Sequence, residues 1–332
     1  MQNYDFKKQP ALLLQGAMDT ETEYLIGQLG EPEEITYGNW KFYTGFLGKY
    51  AEPVVISRTY QGMVNAAAAT AIAMTQFCLW AVINLGIGGG HDARFHRGDI
   101  VVGERVVPMG AMIRKYAPEG AGIDERDFEP LPIEIFDKKL GQTRKVLDFP
   151  CDEKLGDAAM KVQTAFHVGR GVIGSADEWN NQLDRIALLR ERYKAAVEDM
   201  ESAAPAELCL AHDIPFLGIR IISNSVVTGE TFEEAVGVDV QKFAVAFVEQ
   251  LHGMREEKEW SEDTDARQHL SVLCAVQYHE CDGGSGGSGE TTCDQSRVYR
   301  LRRIYHRRKG WNLHGLRRGI SAQNCRRYRM GI

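Results

Sequence analysis

The sequence predicts an α/β layered fold, and three observations carry the prediction. Short apolar runs of strand length alternate with Ala-, Leu- and Met-rich stretches of helical length through about residue 255. A long amphipathic stretch over 231–255 places Phe232, Val236, Val240, Phe243, Phe247 and Leu251 at near-helical spacing. The 332 residues are 44% hydrophobic and 26% charged, which is enough to bury a core and excludes a disordered, collagenous or coiled-coil chain.

The elements follow in order. Residues 11–16 (ALLLQG) read as a buried strand closed by Gly16. Asp19 and Thr20 can cap a helix running to about Leu29. Residues 40–47 and 53–58 read as strands, and Gly62 to about Leu79 as a buried helix. Residues 81–86 (AVINLG) form a strand that enters a glycine loop, Ile87-Gly88-Gly89-Gly90, and 99–107 form another strand. A helix is expected over 154–167, a strand over 170–174, a helix through Leu188 and Leu189, and a buried strand over 215–222. There is no internal repeat.

Composition changes near Glu256. Residues 256–268 are a charge run, and residues 283–289 read GGSGGSG, a flexible-linker composition. From Ser296 onward there are eleven Arg, one Lys and no acid, so the preceding 295 residues hold 27 basic and 46 acidic side chains. The reading is therefore a globular domain over 1–256 and a low-complexity basic tail over 257–332, expected to be disordered or a non-native extension, with binding to RNA or acidic surfaces as the lesser alternative. An acidic body repels phosphates, which argues against nucleic acid as its ligand. Cys274, Cys281, Cys293 and His279 lack a zinc-like C-x₂-C spacing, and seven Cys without a signal sequence do not suggest a disulfide framework. No apolar run reaches the roughly 18 residues of a membrane span, and the polar N-terminus is not a signal peptide. The expected location is cytoplasmic, with no membrane partner.

Polar residues gather where the buried strands end, the place at which open α/β sheets bind ligands. These segments are Gly16 to Glu21, Asn84 to Gly90, Ser175 to Trp179, Glu198 to Ser202, and Arg220 to Asn224. Taken singly, Glu21, Asp199 and Glu201 also read as acids at helix starts, favoured by the helix dipole. The glycine segment also reads as a packing turn, and His91 and His96 as ordinary loop histidines. It is not a dinucleotide fingerprint, because His91 falls where the third glycine belongs. Arg220 inside an apolar strand needs a carboxylate or ligand as partner. Neither a G-x-S-x-G elbow nor a Walker lysine loop is present.

Four motifs occur together and in order: Gly16-Ala17-Met18-Asp19-x-Glu21; the glycine segment followed by Gly98-Asp99-Ile100-Val101-Val102; Asp199-Met200-Glu201-Ser202-Ala203; and Arg220-Ile221-Ile222-Ser223. In this, residues 10–255 resemble the purine nucleoside phosphorylase and uridine phosphorylase superfamily. Within it they are most similar to the hydrolytic branch, the 5′-methylthioadenosine/S-adenosylhomocysteine nucleosidases. The resemblance implies a three-layer nucleoside phosphorylase-like fold, a central mixed twisted sheet flanked by helices. It implies a homodimer, a purine nucleoside as the small-molecule partner, a role in methionine salvage, and no cofactor or metal.

The resemblance also implies roles. Glu21 would activate water for attack on the ribosyl C1′, with an oxocarbenium-like transition state as in glycoside hydrolysis. Arg220 would sit beside Glu21 and hold it ionised. Glu201 would accept from the ribose hydroxyls, Met200 would lie against the sugar, and Trp179 would stack on the base. Gly88 and Ser223 complete the expected binding set. Met109, Met112 and Tyr116 lie where an apolar wall could be offered to a partner subunit. Asp19, Glu21 and the hydroxyl-free Ile87 disfavour a phosphate co-substrate. Asn224 stands where relatives carry an Asp that protonates the purine, and Ala176 departs from their Ser-Gly-Asp. Two other readings stay open: a 6-oxopurine nucleoside phosphorylase or hydrolase, and a non-catalytic nucleoside-binding protein.

Overall fold

A computed structural model describes residues 4–138 and 140–256. The expected basic tail lies outside the described residues.

The elements in chain order are β1 (Ala11–Gly16), α1 (Asp19–Gly27), β2 (Gly30–Tyr37), β3 (Trp40–Leu47), β4 (Glu52–Arg58), α2 (Met63–Gln76), β5 (Leu79–Gly90) and β6 (Ile100–Pro108). The short strands β7 (Met112–Arg114), β8 (Phe128–Pro130), β9 (Ile133–Asp137), β10 (Gln142–Val146) and β11 (Phe149–Pro150) follow. Then come α3 (Glu153–Met160), β12 (Val168–Ser175), α4 (Leu183–Tyr193), β13 (Ala195–Asp199), α5 (Ala203–His212), β14 (Phe216–Asn224), a 3₁₀ turn (Glu234–Val236) and α6 (Gly237–Glu256).

One mixed ten-stranded sheet organises the domain in the order β11-β6-β12-β13-β5-β1-β4-β3-β2, with β14 bridging β5 and β6. That bridge closes five strands, β5, β14, β6, β12 and β13, into a ring. Every residue of β1 and β14 is buried, as a strand covered on both faces requires. Helices α1 and α3 pack on α6, and α2 packs on α5. The α6 face that enters the core is Val240, Phe243, Ala244, Phe247, Val248 and Leu251. No helix of the described residues is long and apolar enough to cross a membrane.

The expected α/β mixed sheet is the observed one; several local expectations are corrected. The glycine segment is strand, not loop: β5 runs unbroken to Gly90 and pairs with β14, and Gly89 and Gly90 also pair with β13. Glycine is needed because neighbouring strands come too close for side chains. A Cβ on Gly88 would lie 2.5 Å from Val197 Cγ2 and 2.7 Å from Glu198 O. The last helix starts at Gly237 rather than 231, since residues 225–230 fold into a paired turn and Glu233 N donates to Ser223 O. Phe232 is therefore free of the helix and 44% exposed. Helix α3 ends at Met160, seven residues early, so that Val168 can enter β12. Met18, not Asp19 or Thr20, occupies the N-cap of α1, and Asp19 instead reaches Arg58 at 2.5 Å.

Candidate active site

Glu21 stands in the first turn of α1, just after β1 and against β5. It is 4% exposed. Its Oε2 accepts from the amides of Ala17 (2.7 Å) and Met18 (3.0 Å), and its Oε1 accepts from the amide of Ile87 (2.8 Å). The helix-start reading of Glu21 is the observed one, since Oε2 closes the capping box of α1, while Oε1 spans to β5. Gly86 makes room, because a Cβ there would fall 2.5 Å from Glu21 Oε1. Burial pushes the Glu21 carboxyl above its ordinary pKa; the Ile87 amide, the Arg220 charge and the two loop amides offset only part of this.

Arg220, 1% exposed on β14, has a different direct partner from the one expected. Its guanidinium is ion-paired with Asp199 (2.8 Å), not seated on Glu21, and acts on Glu21 through space. It also donates to Ser202 Oγ (2.8 Å), to Asn84 O (2.9 Å) and to the Asn84 side chain. Its Nε has no hydrogen-bond partner among the described residues. Asp199 turns the chain from β13 into α5: its Oδ1 accepts from the amides of Glu201 and Ser202, each at 3.1 Å.

Glu201 follows that turn and crosses to the N-terminus of α2. Its Oε1 accepts from the Gly62 amide at 2.8 Å, and the adjacent Met63 amide donates to Asp177 at 2.9 Å. Gly62 has φ +95°, where only glycine is comfortable. Two carboxylates therefore meet the positive end of α2. Burial, then the charges of Asp199 and Glu21, push the Glu201 carboxyl up to about 8, against the pull of Arg220. Met200 is half-buried between Asp199 and Glu201.

Asn224 ends β14 at a bulge in its pairing with β5. The Ser223 hydroxyl lies 2.9 Å from Asn224 Oδ1 and 3.2 Å from Gly88 O. Asn224, Trp179, Asn181, Glu230, Thr231 and Phe232 line a cavity of about 420 Å³. The Trp179 and Phe232 rings are 5.3 Å apart at 56°, and Trp179 is 58% exposed. The sequence-designated residues thus form two groups. Glu21, Arg220 and Glu201 are linked electrostatically, while Trp179 and Asn224 share a cavity wall. Gly88 takes a packing position between strands.

Asn84, Ser202, Asp199 and Phe232 lie around the candidate site, and the sequence reading gave none of them a catalytic or binding role. Asn84 and Ser202 had a signal, as polar residues at the ends of strands. Phe232 was hidden by its fit to the helical period of α6.

A mixed sheet with a closed ring of strands, and buried acids beside an arginine among them, defines an α/β protein class. The chain belongs to the phosphorylase superfamily, whose family model matches residues 11–254. It is 28% identical over 245 residues to a 5′-methylthioadenosine/S-adenosylhomocysteine nucleosidase of Aeromonas salmonicida, covering 71% of this chain and 96% of the relative. A nucleosidase of the same name from Colwellia psychrerythraea, solved in complex with adenine, is 26% identical with a TM-score of 0.57, covering 74% of this chain and 97% of that one. Futalosine hydrolase of Helicobacter pylori, at 21% identity and a TM-score of 0.57 over 73% of this chain and 98% of its own, shares the fold.

Proposed function

We propose that the protein is a nucleosidase that hydrolyses the N-glycosidic bond of a purine nucleoside of the 5′-methylthioadenosine/S-adenosylhomocysteine type. The observation that carries this reading is Glu21, a buried carboxylate fixed by three backbone amides, in electrostatic contact with Arg220 and Glu201. Relatives that bear the nucleosidase name support it.

In this reading Glu21 removes a proton from water as the C1′–N9 bond lengthens. Its raised pKa makes it a stronger base than an exposed carboxylate, and the amides keep its geometry fixed. Attack on C1′ gives the free sugar; the electrons of the broken bond go to the purine, which takes up a proton. Glu201, which keeps its proton up to about pH 8, hydrogen-bonds the ribose hydroxyls. Trp179 and Phe232 enclose the base, and Asn224 faces it with an amide that donates a hydrogen bond but cannot give up a proton. Arg220 fixes Asp199, which shapes the turn that carries Met200 and Glu201.

The homodimer is part of this proposal. Tyr116, 91% exposed, offers apolar surface to a second subunit, whereas Met109 is 1% exposed and belongs to the core around Phe128. The enzyme would serve methionine salvage in the cytoplasm.

The test is a nucleoside panel incubated with and without inorganic phosphate. Free base and free sugar at equal rates in both conditions support the reading. A sugar 1-phosphate identifies a phosphorylase, and binding without any product identifies a non-catalytic protein.

A further inference from the structure

Two consecutive acids end β13 and point to opposite faces, as strand residues must. Asp199 serves the Arg220 side. Glu198, 6% exposed, has no place in the reaction described above. Its Oε1 accepts the Asn180 amide at 2.9 Å, and its Oε2 accepts the Asn180 side-chain amide at 2.6 Å. Behind it lies His91, 1% exposed, with Nε2 3.1 Å from Glu198 Oε2 but neither ring nitrogen in hydrogen-bond geometry with a partner among the described residues. Both His91 and Asp92 amides donate to Ala196 O, which ties the histidine to the same strand. Gly89 lies opposite, where a Cβ would be 3.2 Å from Glu198 Cγ.

This arrangement clamps one residue twice, by main chain and by side chain. Asn180 sits between Trp179 and Asn181, both of which line the cavity with Asn224. The segment is otherwise exposed: Trp179 is more than half accessible, and its indole Nε1 donates within the segment, to Asn181 Oδ1 at 3.2 Å. A buried carboxyl group is costly unless it is hydrogen-bonded, and Glu198 spends both oxygens on one loop residue.

We propose that Glu198 is a positioning residue for substrate binding: by clamping Asn180 it holds the Trp179–Asn181 wall in the form that receives the base. The proposal rests on the nucleosidase reading for its kinetic consequence, but its structural consequence is independent of any substrate.

The experiment therefore has two readouts on the full chain and its Glu198→Leu and Asn180→Ala variants. Leu removes both acceptors of the Asn180 bonds. Asn180→Ala removes only the side-chain bond at a partly exposed position, so it serves if Glu198→Leu fails to fold. Hydrogen–deuterium exchange in a peptide over 176–183 should accelerate roughly tenfold in each variant, with peptides of β12 and α2 unchanged. With a nucleoside that the wild-type protein cleaves, KM should rise roughly tenfold while kcat changes little. Unchanged exchange overturns the clamp. Accelerated exchange with unchanged KM overturns its role in binding. A wild-type protein that cleaves no nucleoside overturns the nucleosidase reading instead. In that case equilibrium binding of adenine replaces KM as the measure, and equal affinity in variant and wild type overturns the inference.

Discussion

Glu21 Oε1 accepts the Ile87 backbone amide at 2.8 Å across 66 residues of sequence, joining the first turn of α1 to β5. The bond forms because residue 86 has no side chain. The space a Cβ would fill at Gly86 is occupied by the Glu21 carboxylate. Strand pairing of β1 with β5 brings the two segments side by side, and the helix start at Met18 aims the carboxylate between them.

Gly86→Ala should consequently displace Glu21 and cut turnover by roughly 10²–10⁴-fold, the cost of losing a positioned base. Gly88→Ala meets Val197 and Glu198 backbone instead. Its main effect should be on stability, about 1–3 kcal/mol from overpacking. Steady-state kinetics and denaturant titration of the two variants separate the effects; equal damage to both properties in both variants would contradict the distinction.

Removing one member of the Arg220–Asp199 pair leaves the other charge buried and uncompensated. Arg220→Met should cost about 3–5 kcal/mol of stability. A midpoint of urea unfolding close to that of the wild type would show that Asp199 is satisfied without the guanidinium.

Much of the fold was legible because β1, β4, β5 and β14 are continuous apolar runs, which need no partner to be recognised. Strand β2 was not, since GEPEEITY is almost wholly exposed and is held in place by β3 rather than by burial. Glycines 88–90 suggest a loop by composition, yet they permit close strand crossing, which is a property of three-dimensional contacts. The site was legible as a set of acids, an arginine and an aromatic at strand ends. The pairing of Arg220 with Asp199 was not, because Asp199, Glu201 and Glu21 are all candidate partners in one dimension.

The raised Glu201 pKa has a thermodynamic signature. Between an ordinary 4.5 and about 8 the folded protein holds a proton that the unfolded chain has released. Stability contributed by this group is therefore greatest at low pH and falls as pH rises through that window. The melting temperature of the wild type relative to Glu201→Gln should decline from pH 5 to pH 8.5. A constant difference across that range would show that Glu201 titrates normally.

Asn224 cannot donate a proton to a leaving purine, so adenine nucleosides should turn over slowly. Asn224→Asp should raise their hydrolysis by at least roughly tenfold, within the 10²–10⁴ that one general acid contributes. It should also depress any cleavage of inosine, whose 6-oxo group an ionised Asp repels. Rates measured on both nucleosides decide the matter. Slower adenosine-type turnover with unchanged inosine cleavage would remove Asn224 from the base side of the site.

The most direct test of the account is Glu21→Gln, which keeps size and one of the two acceptor oxygens but removes the base. The account predicts a kcat lower by roughly 10²–10⁴-fold, with nucleoside affinity nearly unchanged and a folded protein by circular dichroism. Near-normal turnover would contradict it, reducing Glu21 to a cap for α1.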